Sequence, residues 1–474
     1  MEKPLKRTKI VSTIGPASWP PAVLKKMIKN GTTVARVNGA FADVPELDRV
    51  AKLIRAISDD VALMLDIKGH ELRLNKFPEE IKIKPGDQIV FGSKTSDPIY
   101  PVTYPGLYKE IKKGQIILID KGEAKLEVTK ISGGKIYATV INGTVIKGGK
   151  GMNVPGAELT NEPLTKRDVE QISFVVSDKW EFISASFIRY ASDVKAVKKY
   201  LKGSLTKVIS KIEDQQGVDN FDEILAESGG IMIARGDMGA EIPLERLPIL
   251  QKEFIYKCNA VGKPVITATN MLESMIEKPL PTRAEITDVA NAVLDGTDAV
   301  MTSGETSTGK YPVETIETMS RIATENEKYL IPEIFDYHST SDDDPDLVAV
   351  AMTNAAFEVA QTLPLDKIFV VSSTGVTARL MSRHNLAVHV EAFVSNPVIK
   401  RQLALTKGVT AHVFPRRYID RDHAIKAILR FALAQKIIKR SEKVLIIGRR
   451  PFEETSKFKF PNIFEYVDLT GFKL

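Results

Sequence analysis

Between Lys9 and Tyr329, short runs of β-branched and aliphatic residues alternate with longer stretches of helical period, and this alternation is interrupted only once. Lys9–Ile14 reads as a strand stopped by Gly15-Pro16, Pro21–Lys29 as a helix closed by Asn30-Gly31, Thr33–Val37 as a strand, Pro45–Ser58 as a helix and Val61–Leu65 as a strand. After the break, strands are predicted at Phe182–Ser186, Thr206–Lys211, Ile231–Arg235, Pro264–Thr269 and Asp298–Thr302. Helices are predicted to follow them at Ser192–Leu201, Gly217–Ser228, Leu244–Val261, Thr282–Asp295 and Pro312–Tyr329. Strands joined through helices pair in parallel with right-handed crossovers, and eight of them is the number that closes a parallel barrel.

The interruption, from about His70 to Gly156, consists of short alternating strands punctuated by Lys84-Pro85-Gly86-Asp87, Lys113-Gly114, Ser132-Gly133-Gly134 and Asn142-Gly143. No helical period appears there, which predicts a small all-β domain inserted in a barrel loop. After about Pro345 a third segment begins with a helix at Asp346–Leu363 and strands at Lys367–Val371, Val388–Val394, Val409–Phe414 and Lys443–Ile447. The expected fold is therefore α/β: a (β/α)8 barrel from residues 1–69 and 157–335, an inserted all-β domain at 70–156, and a C-terminal α/β domain at 336–474. A length of 474 residues, beyond the size at which one core stops growing, agrees with several domains.

The 66 basic and 60 acidic residues are dispersed, with no long basic block, so no nucleic-acid partner is expected. Cys258, the only cysteine, excludes an intrachain disulfide or a multi-thiolate metal site. Met1–Ile14 has no apolar signal core and no apolar run reaches membrane-spanning length; the expectation is a cytoplasmic chain with no membrane partner.

Two strand ends carry paired charges. Ser210-Lys211-Ile212-Glu213 closes one apolar run and Ala234-Arg235-Gly236-Asp237 the next. Alternation puts Lys211 and Glu213 on one face, and the same reading puts Arg235 and Asp237 on one face. Two carboxylates at adjacent strand ends, with open positions, suit Mg²⁺, and a lysine beside them would stabilise charge on a transferring phosphoryl group. Each signature alone reads equally as solvated caps or a surface ion pair. The other predicted strand ends hold Arg36 and Asn38, Asp66 and Lys68, Phe187 and Arg189, Thr269 and Asn270, and Ser303 and Glu305, more polar groups than a structural rim needs.

Two further stretches are ambiguous or fail. Ser372-Ser373-Thr374-Gly375-Val376-Thr377 is a hydroxyl-rich turn that can cradle a phosphate on helix amides or merely cap the helix. Gly304 to Lys310 matches a P-loop as far as its lysine, but Tyr311 stands where a hydroxyl should hold Mg²⁺, so a P-loop NTPase is rejected.

The chain resembles the pyruvate kinases over essentially its whole length. The matching stretches are Thr8 to Val11 with Thr13 to Ser18, Ala185-Ser186-Phe187-Ile188-Arg189, Ser210-Lys211-Ile212-Glu213, Ala234 to Gly239, Met271-Leu272-Glu273-Ser274-Met275, Pro281 to Val293, and Ser303-Gly304-Glu305-Thr306. The resemblance implies that the inserted β-barrel domain is a lid and the C-terminal domain regulatory, and it implies phosphoryl transfer from phosphoenolpyruvate to ADP, giving pyruvate and ATP, by a homotetramer that answers to a phosphorylated effector. It implies Glu213 and Asp237 as ligands of Mg²⁺, or Mn²⁺ in its place, with Lys211 and Arg36 on the moving phosphoryl. Gly236, Asp237 and Thr269 are implied for the substrate carboxylate, Thr269 also near proton delivery, and Arg73 and Lys150 for the nucleotide phosphates. Ser372, Ser373, Thr374, Gly375 and Thr377 are implied for the effector.

The family's monovalent-cation site would fall on Asn38, Asp66 and the carbonyl of Ile67, with Glu71 kept. Ala40 and Ile67 stand where the family has hydroxyl residues, so weak or absent K⁺ activation is expected, and Phe41 replaces a histidine near the nucleotide. Two other classes remain: a metal-dependent aldolase or related enolate-forming barrel, which needs neither Lys211 nor a lid, and a non-catalytic metabolite sensor on the same scaffold. ADP-dependent pyruvate release separates all three.

Overall fold

The computed structural model describes residues 6–77, 80–92, 99–120, 122–337, 347–414, 421–448 and 463–471. Eight parallel strands close into a barrel: β1 (Lys9–Thr13), β2 (Thr32–Asn38), β3 (Ala62–Ile67), β4 (Phe182–Ala185), β5 (Lys207–Ile212), β6 (Gly230–Ala234), β7 (Val265–Ala268) and β8 (Ala299–Thr302). Neighbours follow chain order, and β8 returns to β1 with Lys9 opposite Ala299.

Closure follows from two-faced burial. One set of side chains, including Val11, Val34, Met64, Ile209, Met232, Ile266 and Met301, fills the barrel interior. The alternate set, including Ile10, Ala35, Leu63, Leu65, Val208, Ile212, Ile231, Ile233 and Val265, packs outward with helix residues such as Leu24, Leu47, Val194 and Phe254. Strands buried on both faces need continuous apolar runs, which is what the sequence supplies. The interior cluster also contains Leu405, fully buried, from a 3₁₀ turn of the C-terminal segment.

The helix Lys166–Ser177, absent from the sequence reading, stands between the insertion and β4. Its start is a capping box in which the Thr165 hydroxyl accepts from Asp168 N at 3.1 Å and the Asp168 carboxylate accepts from Thr165 N at 2.8 Å. That Thr-x-x-Asp spacing was legible in the sequence. The predicted helix Gly217–Ser228 is instead two, Gln215–Asp219 and Phe221–Glu227, broken at Asn220.

Among its described residues the insertion is all β apart from one 3₁₀ turn, a two-stranded sheet and a six-stranded mixed sheet around their own core of Leu72, Phe91, Ile117, Leu126 and Val140. The C-terminal segment forms a five-stranded sheet from β9 (Lys367–Val371), β10 (His389–Val394), β11 (Val409–Val413), β12 (Lys443–Gly448) and β13 (Ile463–Asp468) in the order β11-β10-β9-β12-β13. The edge strand β13 is antiparallel and was not predicted; the predicted helix at 346–363 is seen as Leu347–Thr362, with Asp346 outside the described residues. The sheet domain is tied to the barrel by polar contacts: Lys9 Nζ donates to Val409 O at 2.7 Å, and the buried Glu181 carboxylate receives Arg55 at 2.9 Å and Arg401 at 2.5 Å.

Candidate active site

The residues singled out at the strand ends converge at the carboxyl rim. Lys211, one residue from the end of β5, sends its ammonium to Glu213 Oε1 at 2.9 Å, Ser186 Oγ at 2.8 Å and Asp66 Oδ1 at 3.3 Å. The other oxygen of Asp66 accepts from Arg36 Nε at 2.7 Å, and Arg36 Nη1 donates to Thr13 Oγ1 at 2.6 Å. One continuous polar chain therefore crosses the ends of β1 to β5. Arg36, Asp66 and Glu213 are 7%, 3% and 2% exposed, so these contacts act in a medium of low polarisability.

Burial sets the protonation states. It opposes the Asp66 anion, but Arg36 and Lys211 outweigh it and hold the carboxyl below its usual range. It likewise opposes the Lys211 ammonium, but Asp66 first and Glu213 second hold that pKa above its ordinary value. Glu213 is pushed up to about 7, by burial and by Asp237, against the pull of Lys211 and an N–H from Phe187 at 2.6 Å. Lys211 is thus fixed as a cation chiefly by Asp66, which leaves the Glu213 and Asp237 pair short of positive charge. A divalent cation would supply it. Among the described residues no group of three or more His, Cys, Asp or Glu is arranged to hold a metal. Glu213 and Asp237 are the two carboxylates that could share such an ion, with its other positions open to substrate oxygens and water.

Asp237 is not placed as its sequence suggested. β6 ends at Ala234, and Arg235–Met238 is a helical turn, so Arg235 and Asp237 do not share a strand face. The Arg235 guanidinium turns to Asp288, at 2.6 and 2.7 Å, and to the carbonyl of Thr269 at 2.7 Å, which fixes the turn against the end of β7. Gly236 N donates to Thr269 Oγ1 at 2.7 Å, and that hydroxyl donates to Ala268 O at 2.6 Å. A Cβ on Gly236 would stand 3.2 Å from Thr269 Oγ1, tight enough to disturb the pair. Phe187, Thr269 and Asn270 have φ of 53°, 68° and 56°. For β-branched Thr269 this is strain of about 1–3 kcal/mol, held in place by the contacts around it.

The remaining expected residues are placed differently. Asn38 Oδ1 accepts from Ala40 N at 3.0 Å, the Ile67 carbonyl accepts from Ser186 Oγ at 2.8 Å, and both Asp66 oxygens accept from cations, so each oxygen expected at the monovalent-cation site already accepts a hydrogen bond from the protein. Arg73 holds Glu71 at 2.5 Å and Gly149 O at 2.8 Å, while Lys150 is paired with Asp120 at 2.6 Å; the contacts described for these two side chains stay within the insertion and its root. In the 372–377 turn Ser372 Oγ accepts from Gly375 N at 3.0 Å, and Gly375, at φ 77°, is the N-cap of Val376–Ser382 with no side-chain capping bond. Capping of the helix by Ser or Thr is therefore not what the turn does; Ser373 and Thr374 precede the helix and Thr377 lies in its first turn. The P-loop look-alike is a short helix, Gly304–Ser307, and its Lys310 is ion-paired with Glu277.

Three contributors escaped the sequence reading. Ser186 and Thr13 complete the polar chain, and their signal, a hydroxyl at a strand end, is too common to single out. Glu241 accepts from Asn153 of the insertion at 2.9 Å, and its carboxyl is raised to about 7 by burial and then by Asp214. This contact joins the root of the insertion to the segment that follows Asp237.

Cations clustered against carboxylates at the carboxyl end of a closed barrel define a class, the barrel enzymes that manage charge on anionic oxygen, phosphotransferases among them. Residues 5–316 match the family described as "Pyruvate kinase, barrel domain" and residues 350–459 match "Pyruvate kinase, alpha/beta domain". The chain belongs to the pyruvate kinase family. It is similar to the pyruvate kinase of Bacillus licheniformis, 39% identical over 461 residues covering 93% of this chain and 77% of the relative. The pyruvate kinase of Thermococcus litoralis is 37% identical over 480 residues, covering 98% and 100%. A crystal structure of a pyruvate kinase from Cryptosporidium parvum superposes with a TM-score of 0.87 at 32% identity, covering 98% of this chain and 96% of that one. The family's reaction moves the phosphoryl group of phosphoenolpyruvate to ADP, yielding pyruvate and ATP at the end of glycolysis, and uses a divalent metal.

Proposed function

We propose that this phosphoryl transfer is carried by Lys211, Arg36 and Thr269 at the rim. The observation that supports it is the Lys211 ammonium, 2.9 Å from Glu213 and linked through Asp66 to Arg36, so that two fixed cations share one anionic bridge. A phosphoryl group entering beside that bridge would meet Lys211 on one side and Arg36 on the other, with no reorganisation of either. Glu213 and Asp237 would hold the divalent ion, Mg²⁺ or Mn²⁺ in its place, which supplies neutralisation and alignment of phosphoryl oxygens when bound. The substrate carboxylate would take the Gly236 and Asp237 amides and the Thr269 hydroxyl, displacing the bonds from Gly236 N to Thr269 Oγ1 and from Thr269 Oγ1 to Ala268 O. The P–O bond to the enol oxygen breaks as the ADP oxygen bonds phosphorus, and the enolate carbon then takes a proton, delivered through water held near Thr269. Arg73 and Lys150 would reach the nucleotide phosphates when the lid closes, Lys150 leaving Asp120. Closure also excludes water that would turn transfer into hydrolysis.

The same reading includes a phosphorylated effector at the 372–377 turn, a homotetrameric assembly, a cytoplasmic location, and domain limits at 69/70, 156/157 and 335/336. Among the described residues no helix is long and apolar enough to cross a membrane. A lactate-dehydrogenase-coupled assay with phosphoenolpyruvate, run with and without ADP and Mg²⁺, tests the function. Pyruvate release that needs both agrees with it; release without ADP would favour the aldolase class, and none under any condition the sensor.

A further inference from the structure

The chain enters the inserted domain past His70 and returns from it through Leu159 and Asn161. One side chain spans both crossings: Asn161 Nδ2 donates to His70 O at 3.3 Å, and its Oδ1 accepts from Arg189 Nη1 at 3.2 Å. Beside it, Leu159 N donates to Gln216 Oε1 at 3.1 Å, and Gln216 Nε2 donates to the Tyr190 hydroxyl at 2.8 Å. The other end of the Arg189 fork reaches the rim. Its Nε donates to Asp214 Oδ2 at 2.6 Å, and Asp214 Oδ1 accepts from Gly217 N at 2.9 Å, which fixes the turn directly after Glu213. Phe187, two residues before Arg189 and at φ 53°, gives its N–H to Glu213 Oε2 at 2.6 Å. Arg189 and Asp214 are both buried.

A buried ion pair is weak evidence for stability, because desolvation offsets most of the attraction. The pair of Arg189 with Asp214 is better explained by what it joins. A guanidinium is planar and rigid, so a shift of Asn161 at Nη1 is passed to Asp214 at Nε rather than absorbed within the fork. A cavity of about 180 Å³, lined in part by His70, Asn161, Phe187, Arg189 and Asp193, adjoins these contacts and leaves the hinge room to move. At the rim the tolerance is small, since a group displaced by about 1 Å costs on the order of 10² in rate.

We propose that Arg189 is a positioning residue for the metal site of this reaction, a role that rests on the proposed reading of Glu213 as a metal ligand and of the insertion as a lid. Through Asn161 it follows the hinge of the insertion. Through Asp214 and the Phe187 turn it sets the direction of the Glu213 carboxylate, so closure of the insertion and alignment of Glu213 are coupled.

Mn²⁺ binding to the full-length protein without substrates, followed by the electron paramagnetic resonance of free Mn²⁺, reads the Glu213 geometry, and the KM for ADP reads the lid. Asn161→Ala leaves both Glu213 contacts, to Lys211 and to Phe187 N, in place. It is nonetheless expected to weaken Mn²⁺ about threefold, the scale of one lost hydrogen bond, and to raise the KM for ADP. Arg189→Met is expected to weaken Mn²⁺ about tenfold, as loss of a group that supports a metal ligand does, and the double variant no further. Mn²⁺ affinity unchanged in Asn161→Ala overturns the coupling, as do losses that multiply in the double variant; if Arg189→Met does not fold, Asn161→Ala decides alone. A parent protein that binds no Mn²⁺ would refute the metal site itself and this role with it. An unchanged KM for ADP beside weakened Mn²⁺ would refute the lid and support the link from Asn161 to Glu213.

Discussion

Replacing Lys211 with Met keeps most of the side-chain volume and removes one charge from a group that is 12% exposed and touches three oxygens. The effect on folding is expected to be small for a buried charge. Asp66 retains Arg36 at 2.7 Å, Glu213 retains the Phe187 N–H at 2.6 Å, and Glu213, already raised to about 7, can accept a proton once Lys211 is gone. The loss should therefore be about 1–3 kcal/mol rather than the ~3–5 kcal/mol of a buried pair broken with no other partner. Catalysis should suffer far more. If the ammonium faces the phosphoryl group as charge moves, its removal lowers kcat by about 10³, near 4 kcal/mol of barrier, with a smaller change in KM. Lys211→Arg keeps the charge but presents a wide planar fork to a pocket shaped for a point charge, so it should recover only part of the rate. The coupled pyruvate assay at saturating phosphoenolpyruvate and ADP, with circular dichroism to check the fold, measures this. A folded Lys211→Met protein with kcat within about tenfold of the parent would refute the assignment.

Other outcomes follow from single contacts. Because the folded pKa of Glu241 is raised from 4.5 to about 7, its contribution to stability is full below pH 4.5 and lost as the pH rises through 7. Glu241→Gln should thus gain on the parent by about 2 kcal/mol between pH 5 and pH 8 in urea unfolding, and a difference that stays flat with pH would contradict the cause given. Leu405→Ala should cost about 2–5 kcal/mol, since it opens a cavity at the barrel's inner cluster; a loss below about 0.5 kcal/mol would mean that the domains do not share that core. With Asn38, Asp66 and the Ile67 carbonyl already bonded within the protein, turnover at saturating Mg²⁺ should be unchanged when KCl is replaced by tetramethylammonium chloride at equal ionic strength. A steep K⁺ requirement would show that those donors open to a cation.

The sequence alone determined the barrel, the inserted β domain and the identity of most rim residues. The reason is periodicity: strands buried on both faces must be continuously apolar, helices between them must be amphipathic, and a charged residue that ends such a run can only lie at the strand's mouth. Lys211 with Glu213 was legible because both belong to one strand and its immediate end, where spacing fixes direction. Arg235 and Asp237 were misplaced because the strand stops one residue earlier, and nothing local announces that a guanidinium will find Asp288 some fifty positions on. Asp66 as the bridge between Arg36 and Lys211, Asn153 on Glu241 and Leu405 in the barrel were decided only by the tertiary structure. Each depends on which distant groups burial brings within hydrogen-bonding distance, and the strength and sign of such contacts are set by the exclusion of water, which no sequence spacing encodes.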